Sequence, residues 1–295
     1  MEQSTAMESR SAPFASRAPA GQDASGTDGA LPNLVIIGAQ KCGTTALHYY
    51  LVQHPEVSMS QPKELNFFIE GLNWKKGERW YRGHFDPDAR IRGESSPDYT
   101  AHPWYPGVPE RMHGLIPDAK LIFVVRDPVE RIRAQWIHNY SNRAQDKQLA
   151  PAAVEPGSTY IPRSSYAMQL ERFLEFYPMS QILILDQDEL LGRRRETLRW
   201  VFRFLGIDDG FWHRRFKTLS LETANRRRRT PLGAFLADRL PSRLWRRVRD
   251  RPPFSFPFEH TEMDDELRAE LAAALSDDLA RFRELTGRRF PKWSV

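Results

Sequence analysis

A chain of 295 residues with 40% hydrophobic content is long enough for one large domain or two small ones and has the composition of a soluble protein. Its net charge of +5, carried mostly by arginine, suits an anionic ligand. The single cysteine, Cys42, excludes an intrachain disulfide framework and points to a reducing, cytoplasmic compartment, and no stretch approaches the roughly 20 apolar residues that a membrane-spanning helix needs.

Residues 1–30 are rich in Ser, Ala, Gly and Pro and lack an apolar core or helical period, so a disordered tail is expected ahead of a domain over 31–295. The first apolar run, Leu34 to Ile37, has the character of a buried parallel strand ended by Gly38. A helix is expected from about Gly43, with Leu47, Tyr50 and Leu51 on one face, running out near His54-Pro55. A strand, a tight loop and a helix N-terminus present unpaired backbone N–H groups to an anion. The loop keeps the glycine spacing of an ATP-binding phosphate loop at Gly38 and Gly43, yet Thr44 stands where that loop has its lysine, and Lys41 lies inside the loop instead. A phosphate is therefore expected without ATP chemistry. Lys41, Thr44 and Thr45 add charge and hydroxyl donors, and Cys42 reads as a small residue whose backbone matters.

Further apolar runs at Ala119 to Val125 and Gln181 to Leu185 alternate with helix-like sequence, which predicts an α/β fold: one domain with a parallel sheet of the phosphate-loop type and helices on both faces. Helical stripes are expected at Val129, Ile132, Trp136 and Tyr140 behind Pro128, at Leu170 to Tyr177, and at Leu198 to Leu205 with Gly206 as C-cap. Residues 225–258, rich in Arg and Pro, read as an irregular basic excursion. Leu267, Leu271, Leu275, Leu279 and Phe282 then mark two helices or one bent helix ending near Gly287. A second anion signal sits where the strand ending in Val125 meets Arg126-Asp127-Pro128. Ligands of open parallel sheets bind beyond the strands' carboxyl ends, so Arg126 and Lys41 are expected to converge.

The loop GAQKCGTTAL, then PKELNFF (Pro62 to Phe68), GESSPDY (Gly93 to Tyr99) and VVRDPVER (Val124 to Arg131), taken in that order, resemble the PAPS-dependent sulfotransferases, closest to the branch of bacterial and heparan-sulfate-type carbohydrate enzymes. PAPS is 3'-phosphoadenosine 5'-phosphosulfate. The resemblance implies PAPS as sulfuryl donor, no metal, and a carbohydrate, glycolipid or other small-molecule acceptor, with nucleic acid not expected as a partner. It implies that Lys41, Cys42, Gly43, Thr44 and Thr45 form the 5'-phosphosulfate loop, that Lys41 stabilises the leaving oxygen, and that Arg126 holds the 3'-phosphate. It also implies that Glu64 is the general base.

Ala134 departs from the family, which places a serine there, so the 3'-phosphate site is one hydroxyl short. Arg133 or an arginine among Arg226 to Arg229 is expected to compensate. Glu94 reads as a second acid or a structural carboxylate, Ser96 and Tyr99 as lining of the acceptor pocket, His48 and His54 as structural, and His102 as the reserve base. Trp74, Trp80, Tyr81, Trp104 and Tyr105 are candidates for stacking on the acceptor. The alternatives are a phosphate-loop kinase with Asp186 on magnesium, or a nucleic-acid binder using the arginine run.

Overall fold

The computed structural model describes residues 29–142, 147–155, 157–217, 227–237, 239–240, 244–245, 248–258 and 263–295. Five strands form the central sheet: β1 (Leu34–Gly38), β2 (Val57–Met59), β3 (Ile91–Ser95), β4 (Lys120–Val125) and β5 (Ile182–Asp186), in the order β2-β3-β1-β4-β5. All neighbours are parallel, with Leu34 opposite Gly93 on one side and Lys120 on the other. Every residue of β1 and β5 is buried, as is β4 from Leu121 onward, so both faces of the sheet are covered. Successive strands are joined by helical crossovers, and the chain reverses its direction of winding about β1. Such a reversal opens a crevice at the strands' carboxyl ends.

The first helix, α1 (Thr44–Val52), begins one residue after Gly43, as its apolar spacing predicts. Between β2 and β3 lies the short α2 (Gly77–Arg82), and α3 (Val108–Leu115) precedes β4. Beyond β4, α4 (Pro128–Ser141) starts at its proline, and Asp127 caps it by accepting from the N–H groups of Val129 and Glu130. There follow α5 (Leu149–Val154), α6 (Tyr166–Leu174), then after β5 α7 (Gln187–Gly192) and α8 (Arg194–Leu205), which ends on the left-handed Gly206.

One expectation changes and one left open is resolved. The 225–258 excursion is not irregular throughout: β6 (Arg227–Arg229) pairs antiparallel with β7 (Ser255–Pro257), and α9 (Pro231–Ala237) lies between them. The last stripe is a single helix, α10 (Asp265–Thr286), because Asp264 caps its start and a leucine every four residues keeps one face against α4 and α6. Strands β2 and β3 carry too few apolar residues to announce themselves. The tail expected over residues 1–30 lies, except for Gly29 and Ala30, outside the described residues.

Candidate active site

The loop after β1 is shaped by close approach. A Cβ on Gly38 would lie 1.9 Å from Thr100 Oγ1, so only glycine lets the turn after β3 sit against the end of β1. Lys41 adopts φ 70, a left-handed conformation that costs a residue with a side chain roughly 1–3 kcal/mol and persists only when the surroundings hold it. Gly43, at φ 93, turns the chain into α1. The surroundings supply the restraint: Ala39 N–H donates to Val124 O at 2.6 Å, and Arg126 Nη1 donates to Lys41 O at 3.4 Å. The second contact joins the two anion signals of the sequence. Among the described residues the N–H groups of Gly43, Thr44 and Thr45 have no protein acceptor, and Arg126 makes no ion pair. A cation, the positive end of a helix and open N–H donors thus meet at the carboxyl ends of β1 and β4, an environment built for a phosphate.

Beneath this loop lies Arg131, a residue the sequence reading left without a role. It is fully buried and among the described residues faces no carboxylate; it donates to Gln40 O (3.3 Å), Ser164 Oγ (2.6 Å), Gln135 Oε1 (2.5 Å) and Tyr160 O (3.1 Å). Burial lowers its pKa to about 10, so it stays cationic at neutral pH. Tyr166 completes the floor, its hydroxyl donating to Arg126 O at 2.9 Å and lying 3.5 Å from Cys42 Sγ. Burial raises the Cys42 thiol against the pull of Arg131, consistent with Cys42 as a packing residue.

Glu64 stands on the loop after β2. Its carboxylate pairs with Lys63 at 2.7 Å, and both side chains are largely covered, at 15% and 10% exposure, unlike a surface ion pair. The loop is pinned to the end of β3: Ser95 N–H donates to Lys63 O, and Asn66 N–H donates to Ser96 Oγ at 3.0 Å. Ser96 in turn donates to Glu94, which also accepts from Tyr81 Oη (2.6 Å) and Tyr99 Oη (2.9 Å). Glu94 is 0% exposed, and burial raises its pKa to about 7 against those three hydrogen bonds. One of those three hydrogen bonds ties it to Ser96, on which the Glu64 loop is pinned, so it supports that loop from below.

The remaining candidates separate. Ser96 is wholly buried in that network, whereas Tyr99, His102 and Tyr105 line a cavity of about 190 Å3 with Gln169 and Arg172. His102 is anchored by its backbone, which exchanges hydrogen bonds with the Gln169 amide. Tyr81 is core, stacked on Phe67 at 4.2 Å, while Trp104 is 36% exposed. His54 is structural, its Nε2 3.0 Å from Asp208 O. His48 Nδ1 is buried without a partner, and desolvation with nearby Lys63 drops its pKa to about 3. Asp186 caps α7, its Oδ1 accepting from Asp188 N–H at 3.0 Å, and is 6% exposed.

At the far end of the crevice, Ala134 is 8% exposed on α4, and Arg133 pairs loosely with Glu130 at 3.7 Å. Arg227 is bonded to Ser255 and Arg228 lies over the Tyr140 ring at 3.8 Å; Arg226 lies outside the described residues. Among the described residues there is no cluster able to hold a metal ion.

A model of the sulfotransferase domain matches residues 31–230. The chain is 29% identical over 218 residues to bifunctional heparan sulfate N-deacetylase/N-sulfotransferase 2 of Bos taurus, covering 62% of this chain and 24% of that protein. It is 30% identical over 190 residues to heparan sulfate glucosamine 3-O-sulfotransferase 5 of Mus musculus, covering 60% and 54%. The chain therefore spans about a quarter to a half of the length of these relatives. Among solved structures, a sulfotransferase from Alicyclobacillus acidocaldarius superposes with a TM-score of 0.67 at 25% identity, covering 90% of this chain and all of that one.

Proposed function

The chain belongs to the sulfotransferase domain family, and from that premise we propose that it moves a sulfuryl group from PAPS to a hydroxyl or amine of a carbohydrate, glycolipid or other small-molecule acceptor. One observation carries the reading: Arg126 donates to Lys41 O, so a guanidinium at the end of β4 meets the lysine-bearing loop that leads from the adjacent strand β1 into the open N-terminus of α1, a basic crevice suited to a nucleotide with phosphates at both 3' and 5' positions. The relatives named for heparan sulfate sulfotransferases support a carbohydrate acceptor.

When bound, PAPS supplies the sulfuryl group and a phosphate leaving group. The residues of the chain do the rest. Lys41 and the N–H groups of Gly43, Thr44 and Thr45 hold the 5' end and stabilise charge developing on the departing oxygen. Arg126 binds the 3'-phosphate, and Arg133, one residue before Ala134 on α4, substitutes for the missing serine hydroxyl. Glu64 takes the proton of the attacking oxygen or nitrogen, and Lys63 orients it. On the single cysteine we place the enzyme in the cytoplasm, and among the described residues no helix is long and apolar enough to cross a membrane.

Sulfation measured with radiolabelled PAPS and a panel of glycan and glycolipid acceptors tests this. Lys41→Ala and Glu64→Gln should each fold normally and lower the rate by on the order of 10² or more. Full activity in Glu64→Gln would move the base elsewhere, with His102 next in line.

A further inference from the structure

The charge of the molecule is concentrated in one segment. Residues 226–257 hold ten arginines and two aspartates, a net +8, whereas 33 basic and 36 acidic residues make up the rest of the chain. Removing this segment would leave a mildly acidic protein. The same segment exposes four large apolar side chains: Leu232 is 47% exposed, Phe235 54%, Leu244 51% and Phe256 43%. Among the described residues, half of the eight exposed large hydrophobics thus fall within it.

Its described residues form a small packed module that presents these groups outward. The β6–β7 ribbon lies against α4, with Arg228 over the Tyr140 ring. The α9 helix is held so close to the ribbon that a Cβ on Gly233 would fall 1.9 Å from Phe254 O, and Thr230 ties the corner through Pro253 O and Phe254 O. Trp245 is buried in the module against Phe254 and beneath Arg229. With Gly233 turned inward, Leu232 and Phe235, three residues apart on α9, share an outer face. Arg239 lies on the Phe235 ring at 3.7 Å, and Arg249 and Arg251 are exposed.

We propose that this module docks the protein on an anionic lipid surface, with Leu232, Phe235, Leu244 and Phe256 entering the headgroup boundary and the arginines pairing with lipid phosphates. Exposed leucine and phenylalanine among arginines is the pattern of an interfacial membrane element, in which neither the apolar nor the electrostatic attraction suffices alone. A polyanionic glycan would use the arginines and gain nothing from the exposed apolar chains. A second copy of the chain would have to set +8 against +8 across a two-fold interface. The docking does not depend on which acceptor is sulfated.

The test is sedimentation of the full chain with vesicles of phosphatidylcholine, alone or with about a third phosphatidylglycerol. Partitioning should be at least about tenfold stronger on the charged vesicles and should weaken as salt is added. Leu232→Ser with Phe235→Ser should cut it about tenfold with an unchanged circular dichroism spectrum, and Arg239→Glu with Arg251→Glu should remove the preference for charged lipid. Partitioning undiminished by the apolar double variant would overturn the proposal. So would binding of heparin, or self-association of the chain, without partitioning onto vesicles.

Discussion

Two fully buried charged residues support the two loops of the site, and they behave in opposite ways. Arg131 lies under the Lys41 loop and Glu94 under the Glu64 loop, and each is held by neutral partners alone. The arginine keeps its charge, since burial brings it only to about 10, whereas burial brings the carboxyl up to about 7, where it is half protonated near neutrality. A permanent cation under the loop adds positive potential where an anion is to bind. A carboxyl that sheds its charge below neutrality spares the neighbouring loop, and the acid on it, a second buried negative charge. The two supports thus set the electrostatics that each loop needs, one by staying ionised and the other by yielding.

The sharpest way to break this comparison is to remove the cation. Arg131→Met leaves three buried acceptors and the part-buried Gln40 carbonyl without their donor and should cost about 3 kcal/mol or more of stability in urea unfolding, with weaker nucleotide affinity in whatever remains folded. A loss below about 1 kcal/mol would show that the arginine is not carrying the loop. Next in size, Ala134→Ser restores the hydroxyl that the resembling family uses, and should tighten 3',5'-adenosine bisphosphate about tenfold if the 3'-phosphate lies along α4.

A further effect concerns Glu94→Gln and appears as a slope with pH. Because the folded pKa of Glu94, about 7, lies above its unfolded value of 4.5, the folded state binds the extra proton between those limits. Its contribution to stability is full below about 4.5 and is lost as pH rises to 7. The glutamine variant has no such loss, so its stability relative to the parent should rise by about 1 kcal/mol per pH unit from pH 5 to 7, then level off. Parallel profiles would mean that Glu94 is ionised throughout.

Much of this arrangement can be read in the chain before it folds. Strands β1, β4 and β5 are apolar because both of their faces are covered, and the loop at Lys41 shows through its glycine spacing. Strand β3 does not, since Arg92, Gly93, Glu94 and Ser95 look like a polar loop; its burial depends on hydroxyls from Tyr81 and Tyr99 that only the fold brings to Glu94. Arg131 is hidden for the same reason, its acceptors at Gln40, Tyr160 and Ser164 being distant along the chain. The excursion looked irregular because β6 is three consecutive arginines, whose pairing with β7 no periodicity announces.

Calorimetric titration with 3',5'-adenosine bisphosphate in the presence of a chelator tests the central claim most directly. Tight binding is expected, which magnesium does not improve and which Lys41→Ala and Arg126→Ala each weaken. Failure to bind without magnesium, together with magnesium-dependent binding of ATP, would contradict it.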